Sequence, residues 1–154
     1  MKPSLSRTIL GGLAGTIVMT LMMYFVSPMM GVRMDIAASL GSMLGGSWTL
    51  GMMMHFLNGA IIFPLLYAFL LFRLLPGGPL AKGIGWGVIL WLLAQVMVMP
   101  MMGGGGFFSS RMGGMPAVMG SFLGHLIYGA LLGWIGGSTP GSADSRSISN
   151  RYAA

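Results

Sequence analysis

The sequence contains no cysteine and few charged residues. The lack of cysteine excludes disulfides, cysteine-ligated zinc, iron–sulfur clusters and thiol catalysis. Only 6% of the 154 residues are charged while 55% are hydrophobic, whereas soluble domains carry about 25% charged residues. The eight basic and two acidic side chains cannot cover a soluble fold, but a bilayer accepts apolar helices on all sides. The composition therefore indicates an integral membrane protein.

Acidic residues are the scarcest charged type, and the formal net charge is +6. The basic residues are scattered singly between apolar stretches, as loop charges beside membrane helices are. A nucleic-acid-binding surface would cluster them, so the lipid bilayer rather than nucleic acid is the expected partner. The sequence has no nucleophile–base pair, no phosphate-binding loop and no two-acid arrangement for acid–base catalysis, since Asp35 is the only acid outside the tail. We therefore do not expect an enzyme.

Four hydrophobic runs predict an all-α membrane protein with four transmembrane helices. They cover about residues 8–26, 48–74, 80–99 and 116–135, and each is close to or above the ~20 residues that cross a bilayer. Pro28 and Pro100 are expected to end the first and third helices, because proline disfavours helix in the residue before it. Residues 1–137 form the predicted transmembrane domain, and 138–154, rich in Ser, Gly and Asn, are predicted to be a disordered tail.

The placement of Lys and Arg predicts the orientation of the four spans. One side of the membrane receives six basic residues and the other receives two: Lys2, Arg7, Arg73, Lys82, Arg146 and Arg151 against Arg33 and Arg111. Both termini are therefore expected in the cytoplasm, with the protein in the inner (cytoplasmic) membrane. A cleaved signal peptide is not expected, since the first run is long and no Ala-x-Ala site follows it.

The sequence repeats itself as two tandem two-helix units, about residues 8–74 and 80–136. A shift of 72 positions carries the Pro-Met-Met-Gly at Pro28 onto that at Pro100, and a shift of 70 carries His55-x-x-x-Gly59 onto His125-x-x-x-Gly129. Copies with two spans share one orientation, so a pseudo-two-fold axis along the membrane normal is expected. Glycines are expected to let neighbouring helices approach closely: Gly11, Gly15, Gly59, Gly83, Gly87 and Gly129.

The connection inside the first repeat predicts a short helix on the outer membrane surface. Its apolar residues are spaced as on one helical face: Ile36, Leu40, Met43 and Leu44. Asp35 is placed to cap the N-terminus, or to pair with Arg33 or Arg111. In the second repeat the glycine run at 103–106 is expected to be flexible, and Phe107 and Phe108 to dip into the interface.

The two histidines are the candidate binding residues. His55 and His125 are expected at equal depth on symmetry-related helices, facing the bundle interior because polar side chains in lipid are costly. Facing imidazoles are the axial ligands of a b-type haem, and Gly59 and Gly129 would leave room for the ring. Alternatively, the histidines hold Cu(I), which prefers soft thioether ligands, together with methionines: Met52, Met53, Met54, Met97 and Met99.

Roles other than cofactor binding stay open for the same residues. Histidines in membranes also form structural hydrogen bonds between helices or handle protons and substrates, and methionine commonly fills cores. Asn58 and Tyr128, each three positions after a histidine, are expected either to orient the imidazoles or to hold helices together. Gln95, in mid-span, is expected to face the interior.

Three segments resemble a family of uncharacterised, small, four-span prokaryotic membrane proteins: Met34 to Leu44, His55-Phe56-Leu57-Asn58-Gly59, and Gly124-His125-Leu126-Ile127-Tyr128-Gly129. The resemblance covers roughly residues 8–137. It implies the same architecture and brings no activity, ligand or functional residue.

The leading functional hypothesis is a non-enzymatic accessory or scaffold subunit of a larger membrane assembly, because catalytic residues are lacking and small-residue faces favour helix association. The alternatives are a haem- or copper-binding protein that uses the histidine pair, and a small transporter or channel. Since four spans enclose little space, a pore would require an oligomer.

Overall fold

The computed structural model describes residues 3–29, 31–32, 35–102, 106–111 and 113–137. Its helices are α1 (Leu5–Met29), α2 (Ile36–Met43), α3 (Trp48–Leu74), α4 (Pro79–Met101) and α5 (Gly114–Gly136), with a 3₁₀ turn at Phe107–Ser109 before α5. All but α2 and the turn are long and apolar enough to cross a membrane. The predicted all-α membrane fold is confirmed. The predicted tail at 138–154 and the glycines at 103–105 lie outside the described residues.

Proline shapes three of the long helices without ending them. A π-helical segment stops two residues before a proline in each: Met22–Val26 before Pro28, Asn58–Ile62 before Pro64, and Ala94–Val98 before Pro100. Proline lacks an N–H and its ring crowds the carbonyl four residues earlier. In each case that carbonyl lies in the wider π turn, so the helix continues. The predicted helix ends at Pro28 and Pro100 are therefore wrong, since α1 reaches Met29 and α4 reaches Met101.

Close glycine contacts join α5 to α1 on one side and to α4 on the other. A Cβ on Gly83 would meet the carbonyl oxygen of Gly129, and a Cβ on Gly129 would meet that of Gly83. The six glycines expected at helix crossings are all buried there: Gly11 and Gly15 against α5, Gly59 against α1, Gly83 and Gly87 against α5, and Gly129 against α4. Here α-helices approach more closely than larger side chains would allow.

Helices α3 and α4 contact each other at the membrane face where α1 begins and α5 ends, hereafter the terminal face. Tyr67 donates a hydrogen bond to the Pro79 carbonyl at 3.2 Å. The Lys82 ammonium donates to the Phe72 carbonyl near the end of α3 at 2.6 Å and lies 4.4 Å from the centre of the Phe72 ring, as suits a cation at a helix C-terminus. Buried side chains fill this half of the bundle: Tyr67, Phe72, Trp86, Leu90, Tyr128 and Leu132.

The opposite, loop face carries α2, which is fastened to its neighbours through Asp35. The Asp35 carboxylate caps α2 by accepting from the Ala38 amide at 2.9 Å, and it also accepts from Tyr24 of α1 at 3.0 Å and Trp48 of α3 at 3.1 Å. The predicted N-cap is confirmed. Of the pairings foreseen for Asp35, Arg33 lies outside the described residues, and the carboxylate's partners among those described are these three groups.

The close packing of α2 against α3 uses small residues. A Cβ on Gly51 would meet the Ala37 carbonyl, and one on Gly41 would meet the Ser47 carbonyl. The apolar stripe predicted for α2 divides in two. Ile36 and Leu40 line the interior cavity described below, whereas Met43 and Leu44 are 51% and 41% exposed. The sequence identified the helix but not its buried face, since packing follows Ala37 and Gly41.

Candidate functional site

A cavity of about 700 Å³ lies between α3 and α4 on the loop-face side of the aromatic core. Its walls are apolar over most of their area and come from all four long helices, and Ile36 and Leu40 of α2 lie at its loop-face end. Leu90 and Tyr128 belong to both the cavity wall and the buried core, so the core forms the floor. The polar lining residues are few: Thr16, Ser27, His55, Asn58, Ser121, His125 and Tyr128.

Both histidines line this cavity, and their contacts place them at one level of α1. The His55 Nε2 lies 3.1 Å from the Thr20 hydroxyl. A Cβ on Gly124, the neighbour of His125, would lie 3.6 Å from the Met19 side chain. Since Met19 and Thr20 are successive residues, the two imidazoles share one depth in the bundle.

The hydrogen bonds of Thr20 determine the tautomer of His55. The Thr20 hydroxyl donates its single proton to the Thr16 carbonyl at 2.8 Å, so its oxygen must accept from His55 Nε2–H. A neutral imidazole with Nε2 protonated carries its lone pair on Nδ1. Within the described residues that Nδ1 has no hydrogen-bond partner. His55 therefore brings an acceptor atom to the cavity wall.

A different set of bonds fixes His125 in the opposite tautomer. Its Nδ1 lies 2.8 Å from the Ser121 carbonyl, which can only accept, so Nδ1 carries the proton and Nε2 the lone pair. Ser121 is held in turn, because its hydroxyl accepts from Gln95 at 3.2 Å and the Gln95 carbonyl accepts from Ser109 at 2.9 Å. Gln95 and Ser109 are fully buried. This series of hydrogen bonds runs from the loop face to His125 and fixes the segment that orients the imidazole ring.

Tyr128 binds a carbonyl that the α3 helix leaves unpaired. Phe63 N–H bonds to the Asn58 carbonyl in the π turn, and the next residue, Pro64, has no N–H for the Gly59 carbonyl. The Tyr128 hydroxyl donates to that Gly59 oxygen at 2.7 Å. Unpaired backbone groups are costly inside a bilayer. Of the two roles weighed for Tyr128, the geometry gives the joining of helices.

Comparison with known proteins gives a family. Residues 3–147 match the model of a family of unknown function, DUF6789. The chain belongs to this family. No curated protein and no solved structure matches the chain.

The methionines of the copper hypothesis are only partly assembled in this DUF6789 protein. Met97 and Met99 line the cavity, whereas Met52, Met53 and Met54 do not, and Met53 is 63% exposed on the outer surface of α3. Other methionines line the cavity in their place: Met19, Met22, Met23 and Met119. Among the described residues no group of three or more His, Cys, Asp or Glu side chains could hold a metal ion.

The bonds of the imidazoles also bear on the haem hypothesis. In this DUF6789 protein the His55 Nε2–H donates to Thr20, and the His125 Nδ1–H donates to its own helix. Axial ligation needs one lone pair from each side of the iron, and here the two lone pairs lie on different ring nitrogens, Nδ1 of His55 and Nε2 of His125. The two histidines are therefore not equivalent in their bonding.

Sequence reasoning missed Thr20, Ser121 and Ser109. One signal for Thr20 was present, since Gly12, Thr16 and Thr20 recur every four residues and form a small and polar stripe on α1. That stripe meets α3 at Gly59 and His55. The roles of Ser121 and Ser109 depend on the position of Gln95, which was expected to face inward and is fully buried.

Proposed function

We propose that this chain is a non-enzymatic integral membrane protein that binds a lipid-soluble ligand in the cavity between α3 and α4. The observation that carries the proposal is the cavity itself, about 700 Å³ in volume, apolar over most of its wall, with histidines of two helices at one level. Binding sites for small molecules are commonly apolar clefts of about 300–1,000 Å³ with a few convergent polar groups.

We also propose how the fold is oriented in the membrane and that it arose by tandem duplication. The excess of basic residues on the terminal-face side supports a cytoplasmic position for that face in an inner membrane, in which case the cavity lies in the outer half. The tandem duplication is supported by the π-helical segments Met22–Val26 and Ala94–Val98, which occupy equivalent positions at the 72-residue shift. Under this duplication α1 corresponds to α4 and α3 corresponds to α5, so the α1–α5 contact corresponds to the α4–α3 contact. The first is sealed by glycines and the second is open at the cavity.

The size of the cavity argues against an accessory role in which the cavity holds a helix of another subunit. A helix about 11 Å in diameter occupies roughly 95 Å³ per Å of length. The cavity volume of about 700 Å³ therefore accommodates roughly 7 Å of such a helix, little more than one turn. A small amphipathic molecule uses the space and the polar wall better than a helix does.

The packed terminal-face half of the bundle argues against a transport role. The aromatic and aliphatic core below the cavity is buried throughout, with Tyr67 and Leu132 fully enclosed. Across the described residues, a polar path through one chain would have to cross this core. A transporter would therefore need further copies or a rearrangement, whereas a binding protein needs neither.

Filling the cavity tests the proposal. Gly120 lines the cavity, and a Cβ there meets no atom within 4 Å, so Gly120→Phe should occupy ligand space without disturbing a helix crossing. The wild-type protein is purified from native membranes in mild detergent and examined by native mass spectrometry with lipid extraction. We expect a small lipid-soluble molecule that is retained by wild type and lost from Gly120→Phe.

The matched control is Met115→Phe, on the same helix but 69% exposed and outside the cavity wall. It should retain the ligand. Wild-type protein that carries no such molecule, or a Gly120→Phe variant that carries as much of it as wild type does, would contradict the proposal.

A further inference from the structure

We infer that the ligand presents a hydroxyl group to the two histidines, so that the cavity selects long-chain alcohols over molecules of the same shape that only accept hydrogen bonds. This inference rests on the proposed function and specifies the chemistry of its ligand. It is carried by the hydrogen bonds that fix both imidazole tautomers.

Both imidazole rings use their N–H groups within the protein. His55 donates Nε2–H to Thr20, whose own proton is committed to the Thr16 carbonyl. His125 donates Nδ1–H to the Ser121 carbonyl. Each neutral ring has one donor and one acceptor nitrogen, and in both rings the protein uses the donor. What remains for a ligand is a lone pair on each ring.

The other polar side chains of the cavity wall are partly used by the protein. The hydroxyls of Thr16 and Tyr128 donate to the Gly12 and Gly59 carbonyls. The Ser121 hydroxyl accepts from Gln95, and its proton is still available to a ligand, while the Asn58 amide supplies both donors and an acceptor. The histidine level therefore offers lone pairs from two imidazoles beside the donors of Ser121 and Asn58.

A hydroxyl is the simplest head group that matches this arrangement. Its O–H donates to one imidazole lone pair, and its oxygen accepts from Ser121 or Asn58. An ether or ketone oxygen can meet the donors but leaves both imidazole nitrogens unpaired, and a buried polar group without a partner is costly in an apolar environment. A carboxylate or phosphate would bring a negative charge against two lone pairs, and no Lys or Arg is among the residues lining the cavity.

The long apolar body follows from the rest of the cavity. Above the histidines the wall is formed by apolar side chains of α1, α4 and α5, among them Met22, Leu93 and Met97, and Ile36 and Leu40 of α2 lie at the loop-face end. A chain that extends from the hydroxyl toward the loop face contacts mainly apolar side chains, with Ser27 of α1 as a polar exception. The ligand class is therefore a long-chain or isoprenoid alcohol, neutral and membrane-soluble.

A matched pair of probes tests the selection. Hexadecan-1-ol and its methyl ether share the same chain and differ in the hydrogen-bond donor. Each is titrated, as a mole fraction of lipid, into the full-length protein in nanodiscs, and occupancy is read by native mass spectrometry. One additional hydrogen bond should make the alcohol bind about threefold to tenfold more tightly than the ether.

Variants of the two histidines locate the effect. His55→Phe and His125→Phe keep a planar ring but remove its lone pair. Because one hydroxyl donates to one ring at a time, the variant of the ring that accepts it should lose most of the preference for the alcohol, and the double variant should lose all of it. A cooperative thermal unfolding transition shows that each variant is folded. Equal binding of alcohol and ether by wild-type protein would overturn the inference while leaving the proposed function standing. Failure of both probes to bind, with no endogenous ligand found, would overturn the proposed function and the inference with it.

Discussion

At the scale of single residues, one helix contact depends on a backbone carbonyl that proline leaves unpaired. Pro64 cannot donate to the Gly59 carbonyl, and Tyr128 from α5 does so instead at 2.7 Å. The sequence indicated that Tyr128 and Gly59 were landmarks, since each belongs to a repeated histidine motif. It could not indicate that they bind each other, because that contact depends on how α3 and α5 each pack against α1 and on a π turn that is not visible in periodicity.

Tyr128→Phe should therefore destabilise the protein more than a typical lost side-chain contact. The Gly59 carbonyl would remain buried without a partner, at a cost of about 1 kcal/mol in the free energy of unfolding. Reversible unfolding in bicelles measures this value. Tyr24→Phe is the control, because Asp35 keeps its bonds to Ala38 and Trp48 when the Tyr24 hydroxyl is removed. Equal losses in the two variants would show that the Gly59 carbonyl does not depend on Tyr128.

At the scale of elements, the number and type of helices follow from hydrophobicity, while their irregularities and buried faces do not. The bounds of α3, Trp48–Leu74, were predicted from the sequence. The ends of α1 and α4 were not, because a proline read as a stop is accommodated by a π turn. For α2, Asp35 signalled the N-cap. The sequence did not indicate which face of α2 is buried. The apolar stripe was expected to be the packed face, but two small residues, Ala37 and Gly41, make the contact with α3.

The anchoring of α2 should depend on pH through Asp35. Partial burial by itself raises the pKa of Asp35, but hydrogen bonds from the Ala38 amide, Tyr24 and Trp48 outweigh this effect and hold the pKa below the ordinary value of 3.8. A depressed pKa in the folded state stabilises the fold fully above the unfolded value, and this contribution is lost as the pH falls through the folded value.

Asp35→Asn keeps a capping side chain but removes the charge. We expect the variant to be less stable than wild type at pH 7, and the difference to shrink as the pH falls below 3.8. Thermal unfolding of both proteins across this range measures the difference. A stability gap that stays constant down to the lowest pH would show that the charge of Asp35 does not anchor α2.

At the scale of the whole molecule, the fold is closed at the terminal face and open inside the loop-face half. The two histidines were predicted to share one depth and to face inward, and both line the cavity at the level of Thr20. Their chemical inequivalence was not predictable from the repeat, because the bonding partners differ. At the two shifts the equivalent of Thr20 is Leu92, and the equivalent of Ser121 is Gly51. The two histidines therefore share a place in the repeated sequence motif but carry opposite tautomers.

The central claim is that a lipid-soluble molecule occupies the cavity between α3 and α4, and photo-crosslinking tests it most directly. A long-chain alcohol with a diazirine on its chain is incorporated into nanodiscs with the wild-type protein, irradiated, and its adducts are mapped by peptide mass spectrometry. We predict adducts on cavity residues of α4 such as Leu93 and Met97, and their loss in Gly120→Phe. Adducts confined to outward-facing side chains such as Phe69 and Trp134, which are 70% and 71% exposed, would contradict the claim.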